Sequence, residues 1–351
     1  MKPEGTVAEV LAGAAKCCVA HARCEDFARS IPDGSVNLHW IDPPYFRVVD
    51  EDWDRAWKSE ADYLAWLRGV IAEAARTLAP NGSLYLFASA EMAARVEVTV
   101  GSTARVLNSI VWVKSDSANR RGRSKFRRFA CETERVVFAE KRSGAVSFAG
   151  DAIRAARTAA GLSQADLDVR LGFIRSRDAA RGTGIVRQWE TDDPGSCVPS
   201  CSDFARALRA CGDGRGEASI ALEYERLVRP FNEPEALTDV WTYASAASAV
   251  ERHPCEKPAA MLRDVVRASS RPGDVVCEWF GGSFRMAEAA LAEGRRYIGC
   301  DADAHWYGVG VERARAAVNG TVAAVAARRA KAPADARQTS LFDSLTKAGA
   351  T

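Results

Sequence analysis

The run Val36-Asn37-Leu38-His39-Trp40-Ile41-Asp42-Pro43-Pro44-Tyr45 decides how the chain is read. A mostly apolar, strand-like stretch ends in a carboxylate, two prolines and an aromatic ring. Open α/β sheets place their ligands outside the carboxyl ends of their strands, so the acid stands where chemistry is expected. Two successive prolines fix the backbone and remove two N–H donors, leaving carbonyls aimed in set directions. A carboxylate and a fixed carbonyl beside a flat ring suit a planar group that carries an NH2. The same four residues also fit a proline-rich turn behind a buried strand, with Asp42 at the surface.

The flanks supply more strands and helices. Cys18 to Ala20 suggests a short strand, Asp26 to Ile31 a short helix, and Pro32-Asp33-Gly34-Ser35 a turn into the Val36 strand. Beyond Tyr45, a polar loop from Phe46 to Lys58 precedes apolar residues at helical spacing from Tyr63 to Ala75. That helix is expected to stop at Pro80-Asn81-Gly82. Ser83 to Phe87 then reads as a strand, Glu91 to Val98 as a helix, and Ser109 to Lys114 and Arg135 to Ala139 as strands. The alternation predicts a largely parallel sheet. Between the last two strands Arg120, Arg121, Arg123, Lys125, Arg127 and Arg128 fall within nine residues with no acid among them. A solvated loop is the plain alternative, but the placement between strands of one sheet favours phosphate contact.

Composition narrows the class. A chain of 351 residues can hold more than one domain, and its 47% hydrophobic and 27% charged residues suit a globular protein. A net charge of +2 means that nucleic-acid binding has to come from local patches. No run approaches membrane-spanning length and the N-terminus lacks a leader pattern, so no membrane partner and a cytoplasmic location are expected. Ten scattered cysteines read as reduced thiols. Cys197, Cys201 and Cys211 form a loosely zinc-like group, but without a CxxC pair or a nearby His no metal is expected.

From about residue 149 to 218 the alternation gives way to helices. Gly161 can end one helix and Ser163 can cap the next, with Asp166 completing a capping box. Gly184-Ile185-Val186-Arg187-Gln188-Trp189-Glu190 reads as a further helix, and Phe204 to Leu208 as another. The Gly-Leu-Ser-Gln start and the Val-Arg-Gln-Trp-Glu stretch resemble the helix-turn-helix of the lambda-Cro/Xre repressor family. A long insert, Gly172 to Thr183, departs from that pattern. The resemblance implies that Thr183, Arg187 and Gln188 lie near the groove-facing end, where Arg and Gln suit guanine and adenine edges. The alternative is a helical insert that only packs on the main domain.

After a linker-like stretch through Pro230 and Pro234 come His253-Pro254-Cys255-Glu256-Lys257-Pro258 and a helix from Met261 to Ala268. The strand Val275 to Phe280 leads into Gly281-Gly282-Ser283 and a helix from Met286 to Ala292. A strand, a glycine turn and a helix form a nucleotide-binding arrangement. The next strand, Arg296 to Cys300, ends at Asp301, where an acid can grip a ribose diol.

Together these motifs resemble the amino-methylating DNA methyltransferases of the beta arrangement, with the catalytic half first, target recognition in the middle and the cofactor half last. The resemblance implies an α/β, Rossmann-like S-adenosylmethionine-dependent methyltransferase sheet with an inserted small all-α helix-turn-helix domain. It divides the chain into a catalytic half (1–148), an insert (149–218), a cofactor half (219–318) and a mobile tail (319–351). Asp42, Pro43, Pro44 and Tyr45 match the catalytic motif. Asp42, His253, Lys257, Pro258, Glu278, Phe280, Gly282, Ser283 and Asp301 fall on the cofactor side, and Trp112, Lys114 and Glu134 fall on the family's strand blocks. Glu278, Trp279 and Phe284 depart from that family's Asp-Pro-Phe-x-Gly-Ser-Gly loop. If the Phe284 position needs a left-handed backbone, it costs about 1–2 kcal/mol, and its ring is expected to crowd the methionine end of the cofactor.

The implied activity is transfer of methyl from S-adenosylmethionine to the N6 amine of adenine in double-stranded DNA. Asp42 points to adenine, because the cytosine-N4 enzymes more often carry Ser there; cytosine N4 is the alternative. An alternative of another class is a phage-type DNA-binding regulator with a weakened methyltransferase body. Near the end, Gln338-Thr339-Ser340-Leu341-Phe342 resembles the peptide by which bacterial DNA enzymes dock on the replication sliding clamp, against the plain reading of a disordered end. Either a monomer or a homodimer fits.

Overall fold

A computed structural model of the chain describes residues 2–46, 56–114, 131–141, 145–173, 184–191, 198–212, 217–232, 237–244 and 255–331. The basic run 120–128, Thr183, Cys197, His253 and the 338–342 peptide lie outside the described residues.

Among the described residues, nine strands form one sheet. They are β1 (Lys2–Glu4), β2 (Ala15–His21), β3 (Val36–Ile41), β4 (Leu78–Ser89), β5 (Arg105–Lys114), β6 (Thr133–Glu140), β7 (Val240–Tyr243), β8 (Val275–Glu278) and β9 (Arg296–Asp301). Their spatial order is β1-β2-β9-β8-β3-β4-β6-β5-β7. Pairing is parallel from β1 across to β4, antiparallel on both sides of β6, and parallel again between β5 and β7. The expected Rossmann-like α/β sheet is present, with one reversed strand. β3 lies between β8 and β4, with Leu38, His39 and Trp40 opposite Val276, Cys277 and Glu278.

Helices cover both faces. On one side α1 (Val7–Leu11), α2 (Cys24–Ala28), α3 (Glu60–Thr77) and α4 (Ala93–Gly101) bury Val10, Phe27, Leu67, Ile71 and Val96. Ser59 caps α3 through a reciprocal capping box with Asp62. On the other side α10 (Ala259–Ser269), α11 (Arg285–Ala292) and α12 (Ala304–Lys331) bury Val266, Met286 and Ala314 against Leu38, Trp40, Tyr85 and Phe87. Strand β3 is buried on both faces, which is why its sequence reads as a near-continuous apolar run.

Two expectations shift. Pro80-Asn81-Gly82 does not separate helix from strand, because β4 starts at Leu78 directly after α3. The turn residues are absorbed by an irregularity: Val36 pairs with Leu78, yet Leu38 pairs with Ser83. The stretch read as a linker contains a helix, α9 (Glu217–Leu227), so a boundary drawn after residue 218 falls inside it.

The middle of the chain folds as helices α5 (Ala145–Ala159), α6 (Gln164–Arg170), α7 (Ile185–Trp189), α8 (Cys201–Cys211) and α9. They share a separate core of Ile153, Leu167, Val186, Trp189, Phe204, Leu208 and Tyr224. Gly161 takes a left-handed φ of +68° after α5, and Ser163 caps α6 with Asp166 as its reciprocal partner. Glu190, nearly buried, gathers the Arg157 guanidinium at 2.7 Å and the Gln164 amide at 2.7 Å. Arg187 and Gln188 lie on the exposed side of α7.

Candidate active site

The parallel strands β9, β8, β3 and β4 bring their carboxyl ends to one edge of the sheet. From β3 the chain continues through α3 to β4 on one side; from β8 it continues through α11 to β9 on the other. The direction of winding therefore reverses between β3 and β8, and a crevice opens at such a switch point. Asp42 leaves β3 there, beside the turn that follows β8.

Lys257, Glu134, Lys114 and Tyr45 gather around Asp42. The Lys257 ammonium lies 2.7 Å from Asp42 Oδ2 and 3.2 Å from Glu134 Oε2. Lys114 Nζ lies 2.6 Å from Glu134 Oε1. The Tyr45 hydroxyl stands 3.1 Å from Asp42 Oδ1 and 3.0 Å from Glu134 Oε2, so its one proton can be donated to either carboxylate. The Lys257 ammonium also faces the rings of Phe87 at 4.6 Å, Trp112 at 5.7 Å and Tyr45 at 5.9 Å, contacts that favour a cation. Burial pushes the Asp42 carboxyl above its ordinary range, with Glu134 adding to the push and Lys257 opposing it. Burial would raise Glu134 as well, but Lys257 and Lys114 outweigh it and hold that carboxyl at about 2. Lys257 loses hydration, yet Asp42 and Glu134 keep it above the usual lysine range.

The turn after β8 is stitched to β9. Gly281 N–H donates to the Cys300 carbonyl at 3.0 Å, and Gly282 N–H donates to Asp301 Oδ2 at 2.6 Å. Asp301 Oδ1 accepts from Asp303 N–H at 2.8 Å. Glu278, at the end of β8, accepts from the Tyr297 hydroxyl at 2.6 Å, and burial pushes its carboxyl well up despite that bond. Ser283 Oγ donates to Glu256 Oε2 at 2.5 Å, and Phe280 packs edge-on to Trp66. Pro258 occupies the N-cap position of α10, without a side-chain hydrogen bond.

Phe284 is accommodated inside the fold. Its backbone is left-handed, with φ +51°, but the ring is fully buried between Gly281 and Gly310, edge-on to Tyr297 and Tyr307. A glycine turn folded over a strand-tip acid, with Asp42, Glu278 and Asp301 at neighbouring strand exits, is a suitable donor set for S-adenosylmethionine. The acid at the tip of β9 suits a ribose diol.

The sequence motif puts Lys257 on the cofactor side, whereas the fold places its ammonium on Asp42 and Glu134. The contributions of Glu256, Phe87 and the Lys114–Glu134 contact were not read. The last of these was recoverable, because β5 and β6 form an antiparallel pair in which Trp112 faces Glu134. In such a pair the end of one strand meets the start of the next.

Comparison with known proteins places the chain in a family. A family model described as DNA methylase, of the N6/N4 type, matches residues 36–310. The DNA adenine methyltransferase YhdJ of Escherichia coli is 25% identical over 292 residues, covering 81% of this chain and 78% of that protein. Among solved structures, PvuII DNA methyltransferase (cytosine-N4-specific) has a TM-score of 0.53 at 11% identity, covering 88% of this chain and 93% of that one. The M1.HpyAVI–SAM complex has a TM-score of 0.48 at 16% identity, covering 85% and 98%. By fold, motif order and family match, the chain belongs to the N6/N4 DNA methylase family of S-adenosylmethionine-dependent DNA methyltransferases.

Proposed function

We propose that the chain methylates the exocyclic N6 amine of adenine in double-stranded DNA, with the target base flipped into the crevice at Asp42. The observation that carries this reading is the Asp42 carboxylate at the switch point, bracketed by Tyr45 and the glycine turn. Asp rather than Ser at this position supports adenine, as does the likeness to a relative named as an adenine methyltransferase.

The exocyclic amine is a poor nucleophile because its lone pair is delocalised into the ring. Asp42 and the Pro43 carbonyl accept the two N–H bonds and draw the nitrogen toward tetrahedral geometry, which returns the lone pair to it. Tyr45 stacks on the base, a contact worth about 1–3 kcal/mol. The amine cannot be reached inside a duplex, so the base leaves the stack. Glu278, Asp301 and the Gly282 turn would hold the cofactor, with Pro258, Phe280 and Ser283 shaping their surroundings. Bound S-adenosylmethionine supplies an electrophilic methyl group, and in-line positioning supplies much of the rate.

The test is transfer of labelled methyl to mixed-sequence DNA followed by nucleoside analysis. N6-methyladenine is the expected product; N4-methylcytosine would overturn the base assignment while leaving the acceptor geometry in place. Asp42→Ala should lower kcat at least about a hundredfold, the scale of losing one preorganised transition-state hydrogen bond. Undiminished transfer by that variant would sink the proposed site.

A further inference from the structure

Lys257 is only 7% exposed at its side chain, and the fold accounts for its ammonium completely. Two carboxylates receive it and three aromatic rings face it. A buried lysine in such a seat is a fixed positive charge 2.7 Å from the carboxylate expected to accept the target amine. The protonation state of Asp42 decides the chemistry. An ionised carboxylate accepts from N–H and frees the nitrogen lone pair; a protonated one donates to that lone pair and ties it up.

The groups around Asp42 come from every neighbouring element. Tyr45 belongs to its own turn, Glu134 to β6, Lys114 to β5, Cys255 and Lys257 to the segment before α10, and Glu278 to β8. Burial pushes the Cys255 thiol up to about 11, so it is uncharged near neutrality, and pushes the Glu278 carboxyl well up. Lys257 and Glu134 then act on Asp42 with opposite signs. Lys114, on the far oxygen of Glu134, balances the second carboxylate, so the set of two acids and two lysines is neutral.

We propose that Lys257 is a positioning residue for Asp42: seated by Glu134 and the Phe87, Trp112 and Tyr45 rings, it holds Asp42 ionised and oriented as the acceptor of the target amine. This moves Lys257 from the cofactor side, where its sequence motif put it, to the acceptor side. The proposal rests on the reading of Asp42 given above. It predicts opposite responses to two substitutions. Removing the Lys257 charge leaves a buried carboxyl beside Glu134 with nothing to oppose its protonation. Removing the Glu134 charge takes away a repelling neighbour and leaves Lys257 to Asp42 alone.

The experiment is a carboxyl 13C NMR titration of aspartate-labelled full-length protein without DNA, with the Asp42 resonance identified by its loss in Asp42→Asn. In Lys257→Met the Asp42 midpoint should rise by about 1–3 pH units, the range for an opposite charge at this distance. Lys257→Arg should return it close to wild type, and Glu134→Gln should lower it. In methyl transfer, the acid limb of kcat should move upward in Lys257→Met, with activity recovering as the pH is raised. A purely structural role would depress kcat at every pH without moving the limb. Equal midpoints in wild type and Lys257→Met, or a shift of the same sign in Lys257→Met and Glu134→Gln, would overturn the proposal. The titration needs no turnover, so it decides the pairing separately from whether the product is methyladenine.

Discussion

At Phe284 a left-handed backbone and a buried ring oppose each other. The conformation costs about 1–2 kcal/mol for a residue with a Cβ, whereas deleting a buried Phe ring costs about 3–5 kcal/mol. Burial therefore wins, provided that room exists. The room comes from glycines: a Cβ at Gly310 would stand 2.1 Å from Phe284 Cδ2, and one at Gly281 2.2 Å from Cε1. Gly310→Ala should therefore lower stability by about 1–3 kcal/mol through overpacking. Phe284→Ala should lower it by about 3–5 kcal/mol. The double variant should lose less than the sum, because the added methyl then meets no ring. Urea melts of the four proteins measure this, and strictly additive losses would mean that ring and helix do not compete for the same space. His39 gives a pH signature at the same scale. Thr77 Oγ1 donates to the Glu73 carbonyl and lies 2.8 Å from His39 Nε2, so Nε2 carries the proton and Nδ1 is left unpartnered in the core. Burial pulls this histidine down to about 3, below the ordinary 6.5 of an unfolded chain. The unfolded state binds the proton first, so stability should fall as the pH drops from about 6.5 toward 3, at up to about 1.4 kcal/mol per unit from this group. His39→Gln should flatten that slope in chemical melts between pH 6.5 and 4; an unchanged slope would show that His39 is not held neutral.

At the scale of elements, what could be read from the sequence was what local chemistry determines. The capping box at Ser163, the glycine after α5, the Asp42 strand exit and the acid at the tip of β9 all come from short-range patterns, and all are present. Three features depended on long-range partners and were not legible. Pro80-Asn81-Gly82 has turn chemistry, but pairing with β3 keeps the chain extended around it. α9 follows a turn-rich stretch and is secured by Tyr224, which stacks near Phe148 and Phe204 and donates to the Pro199 carbonyl. Glu256 sat unread inside a recognised motif. Its side chain is 1% exposed, accepts from Ser283 Oγ and from Arg313 Nη1 at 2.8 Å, and lies 3.3 Å from Arg285 Nη1. One carboxylate thus ties the segment before α10 to the glycine turn, α11 and α12. Glu256→Gln keeps the shape but leaves Arg313 without its counter-charge and Arg285 with Glu288 alone, at 3.6 Å. The expected loss is about 3 kcal/mol, the low end for breaking a buried pair, because both arginines retain some solvent. Calorimetric titration should also show weaker S-adenosylmethionine binding, since the turn loses its anchor. A variant unchanged in both urea midpoint and cofactor affinity would make Glu256 a bystander.

For the whole molecule, the direction of β6 separates two DNA-facing candidates. β5 leaves the sheet at Lys114 and β6 enters at Thr133, and both ends lie at the Asp42 edge, where Lys114 meets Glu134. The connection that carries Arg120, Arg121, Arg123, Lys125, Arg127 and Arg128 is thus tethered at both ends beside the crevice. The helical insert is rooted differently. β6 ends at Glu140 on the opposite edge, and Arg229, just after α9, returns to Glu140 at 3.0 Å. Arg187 and Gln188 therefore belong to a unit that joins the sheet at the edge away from the reaction. Phosphate contact near the target base is therefore proposed for the basic run, and contacts from α7 would reach DNA independently of it. The two are separable by salt. If about four of the six charges in the run touch phosphate, they contribute a slope of about −3.6 to log affinity against log salt. Replacing all six by Ala should flatten the measured slope by that amount and weaken binding to every sequence alike. Arg187→Ala should change the slope by about 0.9 at most, one phosphate's worth, while Gln188→Ala, which removes no charge, should leave it unchanged and alter only sequence preference. Fluorescence anisotropy on a labelled duplex across a salt series measures both. A slope indifferent to the six substitutions would transfer the electrostatic contact to the insert, and the orientation of DNA across the sheet would have to be turned accordingly.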